Sequence, residues 1–213
     1  MHLHTAIGPP RDVLDEVGAA LQAACRHAEK VAGPTGRQLP ALLRWTRPRP
    51  RHPELADPQL DLVPVDDLSI RIAGFGFVTA GDTIRLTAAL KTAAAEIARP
   101  TVHFAGGAEL ELDGDRYVWV RIAGDLDALK DAARGIITVV EPLGFFVDRR
   151  MFRPLLAVAT INDTTTAPYL RAVLDALDAF SGRDWELDHV QLMRLNYGTG
   201  PKAQELERLP LHR

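Results

Sequence analysis

Cysteine is almost absent from this chain, which has one, Cys25, in 213 residues. An internal disulfide needs two cysteines and a multi-cysteine metal site needs more, so both are excluded. Such sparing use of cysteine is typical of proteins in a reducing compartment, and we expect a cytoplasmic protein.

The sequence also has no long apolar run and no strong net charge. No run approaches the roughly 20 apolar residues that span a bilayer, so no membrane association is expected. The net charge of −3 gives no basic field for nonspecific duplex binding. No two histidines stand at the i, i+4 spacing of a helical metal site with a carboxylate partner, and we expect neither a metal nor a cofactor.

Apolar periodicity places strands among helices along the chain. Helical spacing predicts helices over residues 11–32, 83–98, 126–143 and 167–180. Alternation predicts strands over 68–72, 155–161 and 187–195, and the turn Asp113-Gly114-Asp115 predicts a hairpin between 101–112 and 116–123. The hairpin and the half-polar strands favour antiparallel sheets covered by helices, and therefore an α+β fold. An Arg/Pro-rich stretch at about 44–58 is predicted to be an exposed insertion.

Two of the strand segments share an unusual pattern. The first is PVDDLSIRIAGFG, residues 64–76, and the second is RMFRPLLAVATIN, residues 150–162. In the first, Ser69 and Arg71 fall on the face opposite Leu68, Ile70 and Ile72, because successive side chains of a strand point to opposite sides.

These segments resemble the two motifs of the 2′-5′ RNA ligase-like branch of the 2H phosphoesterase superfamily, PPENLHLTLxFLG and RPFxPHLTLAR. The opening HLHTAIGPP and the closing VQLMRLNYGTGP are similar to the family's termini, so the resemblance runs nearly end to end. It implies a single bilobal domain over residues 1–213. Two antiparallel sheets would carry helices on their outer faces and enclose a central groove.

The resemblance fails at the catalytic pair. Ser69 and Arg71 occupy the first His-x-Thr position, and Leu155 and Ala157 occupy the second. In the family, two imidazoles act as base and acid on opposite sides of a phosphorus atom. Leucine and alanine transfer no proton, and arginine stays protonated, so the resemblance implies a protein without the family's mechanism.

The groove is still expected to bind a small nucleotide, a phosphoester or an RNA end. Arg71 and Ser69 are the first candidate ligand-binding residues, since a guanidinium grips phosphate in two-pronged fashion. Alternatively, Arg71 has a structural role and pairs with an acidic neighbour instead of binding a ligand. Arg153 could add to an anion-attracting rim. His4 and His103 complete the candidate set, although a surface His4 and a structural His103 are the plainer expectations.

Two other functions stay open at this point. One is a diverged cyclic phosphodiesterase that uses His4 or His103 together with Arg71. The other is an interaction module with a closed groove, in which the Arg/Pro-rich segment binds a protein partner of unknown identity. The second requires that no void surround Arg71.

Overall fold

The computed structural model describes residues 1–32, 59–109, 116–148, 152–197 and 203–212. The Arg/Pro-rich stretch at 44–58, the turn at 113–115, and Arg149 and Arg150 lie outside the described residues. In the described part of the chain, no helix is long and apolar enough to cross a membrane.

The described residues form nine strands and four α-helices. The strands are β1 (His2–Ile7), β2 (Leu60–Leu62), β3 (Ile70–Phe77), β4 (Thr101–Glu109), β5 (Tyr117–Gly124), β6 (Leu155–Ile161), β7 (Trp185–Glu186), β8 (His189–Leu195) and β9 (Ala203–Pro210). The helices are α1 (Arg11–Ala32), α2 (Ala80–Ala94), α3 (Leu126–Val140) and α4 (Ala167–Asp178).

The strands form two sheets, which we call sheet A and sheet B. Sheet A has the order β3-β1-β8-β9, and sheet B has the order β2-β6-β5-β4-β7. Every pairing between these strands is antiparallel. Helices α2 and α3 pack together against sheet A, while α1 and α4 pack together and α4 covers β4 of sheet B. The fold class predicted from the sequence is therefore confirmed.

Alternating burial shows which face of each sheet contacts the helices. On sheet A, Leu3 and Ile72 point into the core, and on sheet B, Val120 and Leu156 do so. Helix α1 contributes an apolar stripe that runs from Val13 through Leu21 to Ala28 at helical spacing. Along β5 of sheet B burial alternates, so one face stays open toward a groove, whereas β1 of sheet A is buried on both faces.

Several element boundaries differ from the prediction. Helix α2 begins earlier, because Thr79 is its N-cap and accepts a hydrogen bond from the Asp82 backbone N–H at 3.1 Å. It also ends at Ala94, so the predicted last turn is not helical. Strand β3 continues through the GFGF segment to Phe77. Strands β2, β7 and β9 were not predicted.

Candidate functional site

A groove of about 840 Å³ separates the inner faces of the two sheets. Its walls come from both sheets, from the β1–α1 connection and from the turn before β3. The side chains that line it and matter below are those of His4, Arg11, Ser69, Arg71, Tyr117, Trp119, Arg153, Leu155, Ala157, Gln191, Met193 and Arg208. The groove therefore lies where the resemblance implied a ligand site.

The first motif contributes to one wall of this groove. Ser69 leads into β3 and Arg71 is its second residue, and both side chains line the groove. Ile70 and Ile72, which alternate with them, are each 1% exposed and lie in the core. The predicted division of this strand into a polar and an apolar face is thus confirmed.

Arg71 has no ion pair with any carboxylate in the described part of the chain. Other groove arginines do have one. Arg11 pairs with Asp66, and its Nε lies 3.2 Å from Asp15 Oδ1, while Arg208 Nε lies 3.2 Å from Glu205 Oε1. The structure offers no support for an Arg71 neutralised by an acidic neighbour, and its charge is available to an anion.

The second motif lines the opposite wall. Leu155 and Ala157 border the groove, while Leu156 and Val158 are buried beneath them. Ala157 is the cross-strand partner of Trp119 on β5, which places a large ring beside a small side chain. Arg153, just before β6, also lines the groove. This wall is mainly apolar, with a cation at its end.

His4 lies in the middle of sheet A, and the expectation of a surface histidine is wrong. Its strand β1 pairs with β3 on one side and β8 on the other, so His4 sits between Gly74 and Met193. The side chain lines the groove, yet the residue is only 2% exposed. Burial, the positive charge of Arg71 and the neighbouring His2 lower the pKa of His4 to about 4. The imidazole is therefore neutral at pH 7.

His103, which was predicted as a ligand-binding candidate, is not among the residues that line the groove. It lies on β4, whose neighbours are β5 and β7, and its Nδ1 is 2.8 Å from Asp184 Oδ1. The strand order places β5 between β4 and the groove strand β6.

His2 contacts aromatic rings instead of joining His4 in a metal site. Its ring centroid lies 5.3 Å from that of Phe77 and 6.2 Å from that of Tyr197, edge-on in both cases. Across the described ranges, no group of three or more His, Cys, Asp or Glu side chains is arranged to hold a metal ion.

Two aromatic residues of the groove were not assigned to it from the sequence. Tyr117 and Trp119 on β5 both line it, with ring centroids 5.4 Å apart. Their alternation with the buried Val118 and Val120 could have indicated a shared face. The sequence alone does not show that this face turns toward the groove.

Proteins of known structure share this architecture. LigT of E. coli, in a complex with 3′-AMP, superposes with a TM-score of 0.64 at 15% identity, over 100% of this chain and 98% of LigT. TT0787 of Thermus thermophilus superposes with a TM-score of 0.61 at 19% identity, over 99% of this chain and 98% of that one. This chain has the fold of LigT.

The match to LigT extends along the whole chain, which confirms the fold that the resemblance implied. Further LigT structures contain NADP⁺ and ATP, so LigT accepts several nucleotides. No protein-family model matches this chain, and no curated protein matches its sequence. At 15–19% identity, the likeness to LigT and TT0787 establishes the fold alone.

Proposed function

We propose that this chain is a 2H phosphoesterase-family, 2′-5′ RNA ligase-like protein that binds a nucleotide or another phosphoester in its groove without hydrolysing it by the two-histidine mechanism. The observation that carries this proposal is the position of four residues. Ser69 and Arg71 lie on one wall of the groove, and Leu155 and Ala157 lie on the other. These are the wall positions that the motif resemblance assigns to the catalytic pairs.

The chemistry of these residues favours binding over turnover. Cleavage of a phosphodiester needs a base for the attacking oxygen and an acid for the leaving oxygen. Leu155 and Ala157 can be neither, and Arg71 keeps its proton. His4 lies in the groove, but a single histidine cannot serve as base and acid at the same time, and with a pKa of about 4 its imidazole is neutral at pH 7 in the free protein.

The same residues suit a ligand with one anionic and one apolar part. Arg71 can donate two parallel hydrogen bonds to a phosphoryl group, and the Ser69 hydroxyl can add a third. Across the groove, Leu155, Ala157 and the Trp119 ring offer apolar surface. A nucleotide has both parts.

The two alternative functions receive less support. A phosphodiesterase that uses His103 with Arg71 would need both side chains in one site, and His103 is paired with Asp184 outside the groove. One that uses His4 with Arg71 has a base but no acid, because a guanidinium does not give up its proton. A closed groove would leave no space around Arg71, whereas Arg71 borders a cavity of about 840 Å³. The Arg/Pro-rich segment lies outside the described residues and adds no argument.

Titration calorimetry with 3′-AMP tests the proposal. We expect saturable binding at pH 7 that weakens about tenfold or more in Arg71→Ala, because charge-assisted hydrogen bonds contribute about 1.5–3 kcal/mol each. Arg134→Ala removes an exposed helical arginine that pairs with Asp131, and it should bind like the wild type.

A hydrolysis assay on a 2′,3′-cyclic nucleotide completes the test, with no product expected above the uncatalysed rate. Two results would overturn the proposal. One is the absence of saturable binding in the wild type, and the other is turnover that His4→Ala abolishes.

A further inference from the structure

His4 brings a buried polar side chain to the groove that the proposed function does not use. The residue is 2% exposed, and its Nδ1 has no hydrogen-bond partner in the described part of the chain. Because Nδ1 is inaccessible, a ligand in the groove can meet this ring only at Nε2. A buried, unpaired polar group costs free energy unless something compensates for it.

On its own sheet, the permanent charge near His4 is that of Arg71. Arg71 on β3 and His2 on β1 both disfavour a positive imidazole. On the other side, β8 presents Met193 and Gln191, which carry no charge. The opposite wall contributes Arg153.

Two acidic residues line the groove, Asp66 and Asp67 of the turn before β3, and Asp66 is paired with Arg11. Neither is among the charges that act on the pKa of His4. An anion placed between Arg71 and His4 would be attracted by the guanidinium charge and could accept a hydrogen bond from His4 Nε2.

We propose that His4 and Arg71 form a subsite for a tetrahedral oxyanion, such as a phosphoester or sulfate, and that His4 takes up a proton from solvent when the anion binds. This inference rests on the proposed function, because it concerns the same groove. Arg71 supplies a permanent charge, and His4 supplies a charge that exists only in the bound state. The protonated Nε2 then donates a hydrogen bond to the anion.

The sign of the pH dependence follows from the direction of the pKa change. In the free protein the pKa of His4 is about 4. A bound anion favours the imidazolium and offsets the repulsion from Arg71, so the pKa of His4 rises in the complex. Proton uptake therefore occurs between the free and the bound pKa values, and affinity increases as the pH falls from neutrality toward 4.

Inorganic sulfate is the probe of choice, since its charge stays constant between pH 5 and pH 8. We expect sulfate to bind roughly tenfold or more tightly at pH 5 than at pH 7.5, because each pKa unit gained on binding corresponds to a factor of ten. Calorimetry at pH 5.5 in buffers of different ionisation enthalpy measures the proton uptake, which should approach one proton per site.

Two variants and a control isolate the contribution of His4. His4→Gln and His4→Phe should still bind sulfate through Arg71, with no proton uptake and little pH dependence; the pair guards against one of them failing to fold. His27→Gln removes an exposed histidine of α1 and should behave like the wild type. Histidine NMR titration with and without sulfate gives the pKa of His4 directly.

The outcomes separate this inference from the proposed function. If sulfate and 3′-AMP fail to bind at any pH, the proposed function itself is lost. If sulfate binds with no proton uptake, or if uptake persists in the His4 variants, the anion subsite of His4 is overturned while the binding function stands.

Discussion

Ser69 and Leu155 lie on opposite walls of one groove, Ser69 at the entry of β3 in sheet A and Leu155 at the start of β6 in sheet B. Both occupy the positions that the motif resemblance assigns to histidines. The chain thus keeps the strands that would present an acid and a base while lacking the groups that would transfer protons.

Restoring the two motifs should create phosphodiesterase activity. The combined changes Ser69→His, Arg71→Thr, Leu155→His and Ala157→Thr place two His-x-Thr pairs on strands whose groove-facing positions are already set. Each positioned acid or base contributes about 10²–10⁴ in rate. We expect hydrolysis of a 2′,3′-cyclic nucleotide at least about 10²-fold faster than by the wild type, measured by chromatography.

The half-restored variants are the matched controls for that experiment. Ser69→His with Arg71→Thr supplies one pair, and Leu155→His with Ala157→Thr supplies the other, so each lacks either the acid or the base. Both should fall well below the fully restored protein. Equal rates in all three would show that the two walls do not act together.

The adjacent leucines of β6 should differ sharply in their contribution to stability. Leu156 is 0% exposed in the core, whereas Leu155 is half-buried on the groove wall. Leu156→Ala should lower the free energy of unfolding by about 2–5 kcal/mol, since it leaves a cavity. Leu155→Ala should lower the free energy of unfolding by clearly less, because the Leu155 side chain already borders the open groove. Urea unfolding of both variants gives the comparison, and similar losses would contradict the assigned alternation.

Local sequence patterns predicted the elements whose signals lie within the element itself. The predicted strand over 155–161 matches β6, and the predicted helix over 11–32 matches α1. Strand β9 was not predicted, because its sequence AQELERLP is rich in charge and shows no apolar alternation. It is an edge strand that pairs only with β8 in the described part of the chain. Strands β2 and β7 have three and two residues, too few to show any period.

The candidate site shows the same division between local and nonlocal information. That Ser69 and Arg71 share one face of the strand follows from alternation, which is local. The burial of His4 does not, because it depends on β1 pairing with β3 about 70 residues away and with β8 nearly 190 residues away. The contact between His103 and Asp184 is nonlocal in the same way, since no residue near His103 in the sequence indicates that it pairs with Asp184.

Gly124 should be intolerant of a side chain. It ends β5 with a φ of +99°, and a Cβ there would lie 2.7 Å from the Thr101 carbonyl oxygen. Gly124→Ala should destabilise the protein by about 1–3 kcal/mol, because the left-handed backbone and the contact both oppose it. Gly81→Ala in α2 has nothing within 4 Å of the new Cβ and serves as the control; urea midpoints measure both. Equal midpoints would rule out this role of Gly124.

Protonation of His4 should weaken the fold in mild acid. Its pKa is 6.5 in the unfolded reference and about 4 in the folded protein, so the unfolded state binds more protons between these values. Stability is therefore complete above pH 6.5 and falls as the pH drops toward 4, by on the order of 3 kcal/mol. Urea unfolding at pH 7.5 and pH 4.5 measures this loss, and His4→Phe, which has nothing to protonate at this position, should lose correspondingly less than the wild type. An equal loss in both proteins would mean that His4 does not titrate as a buried group, and that acid acts on the fold through other residues.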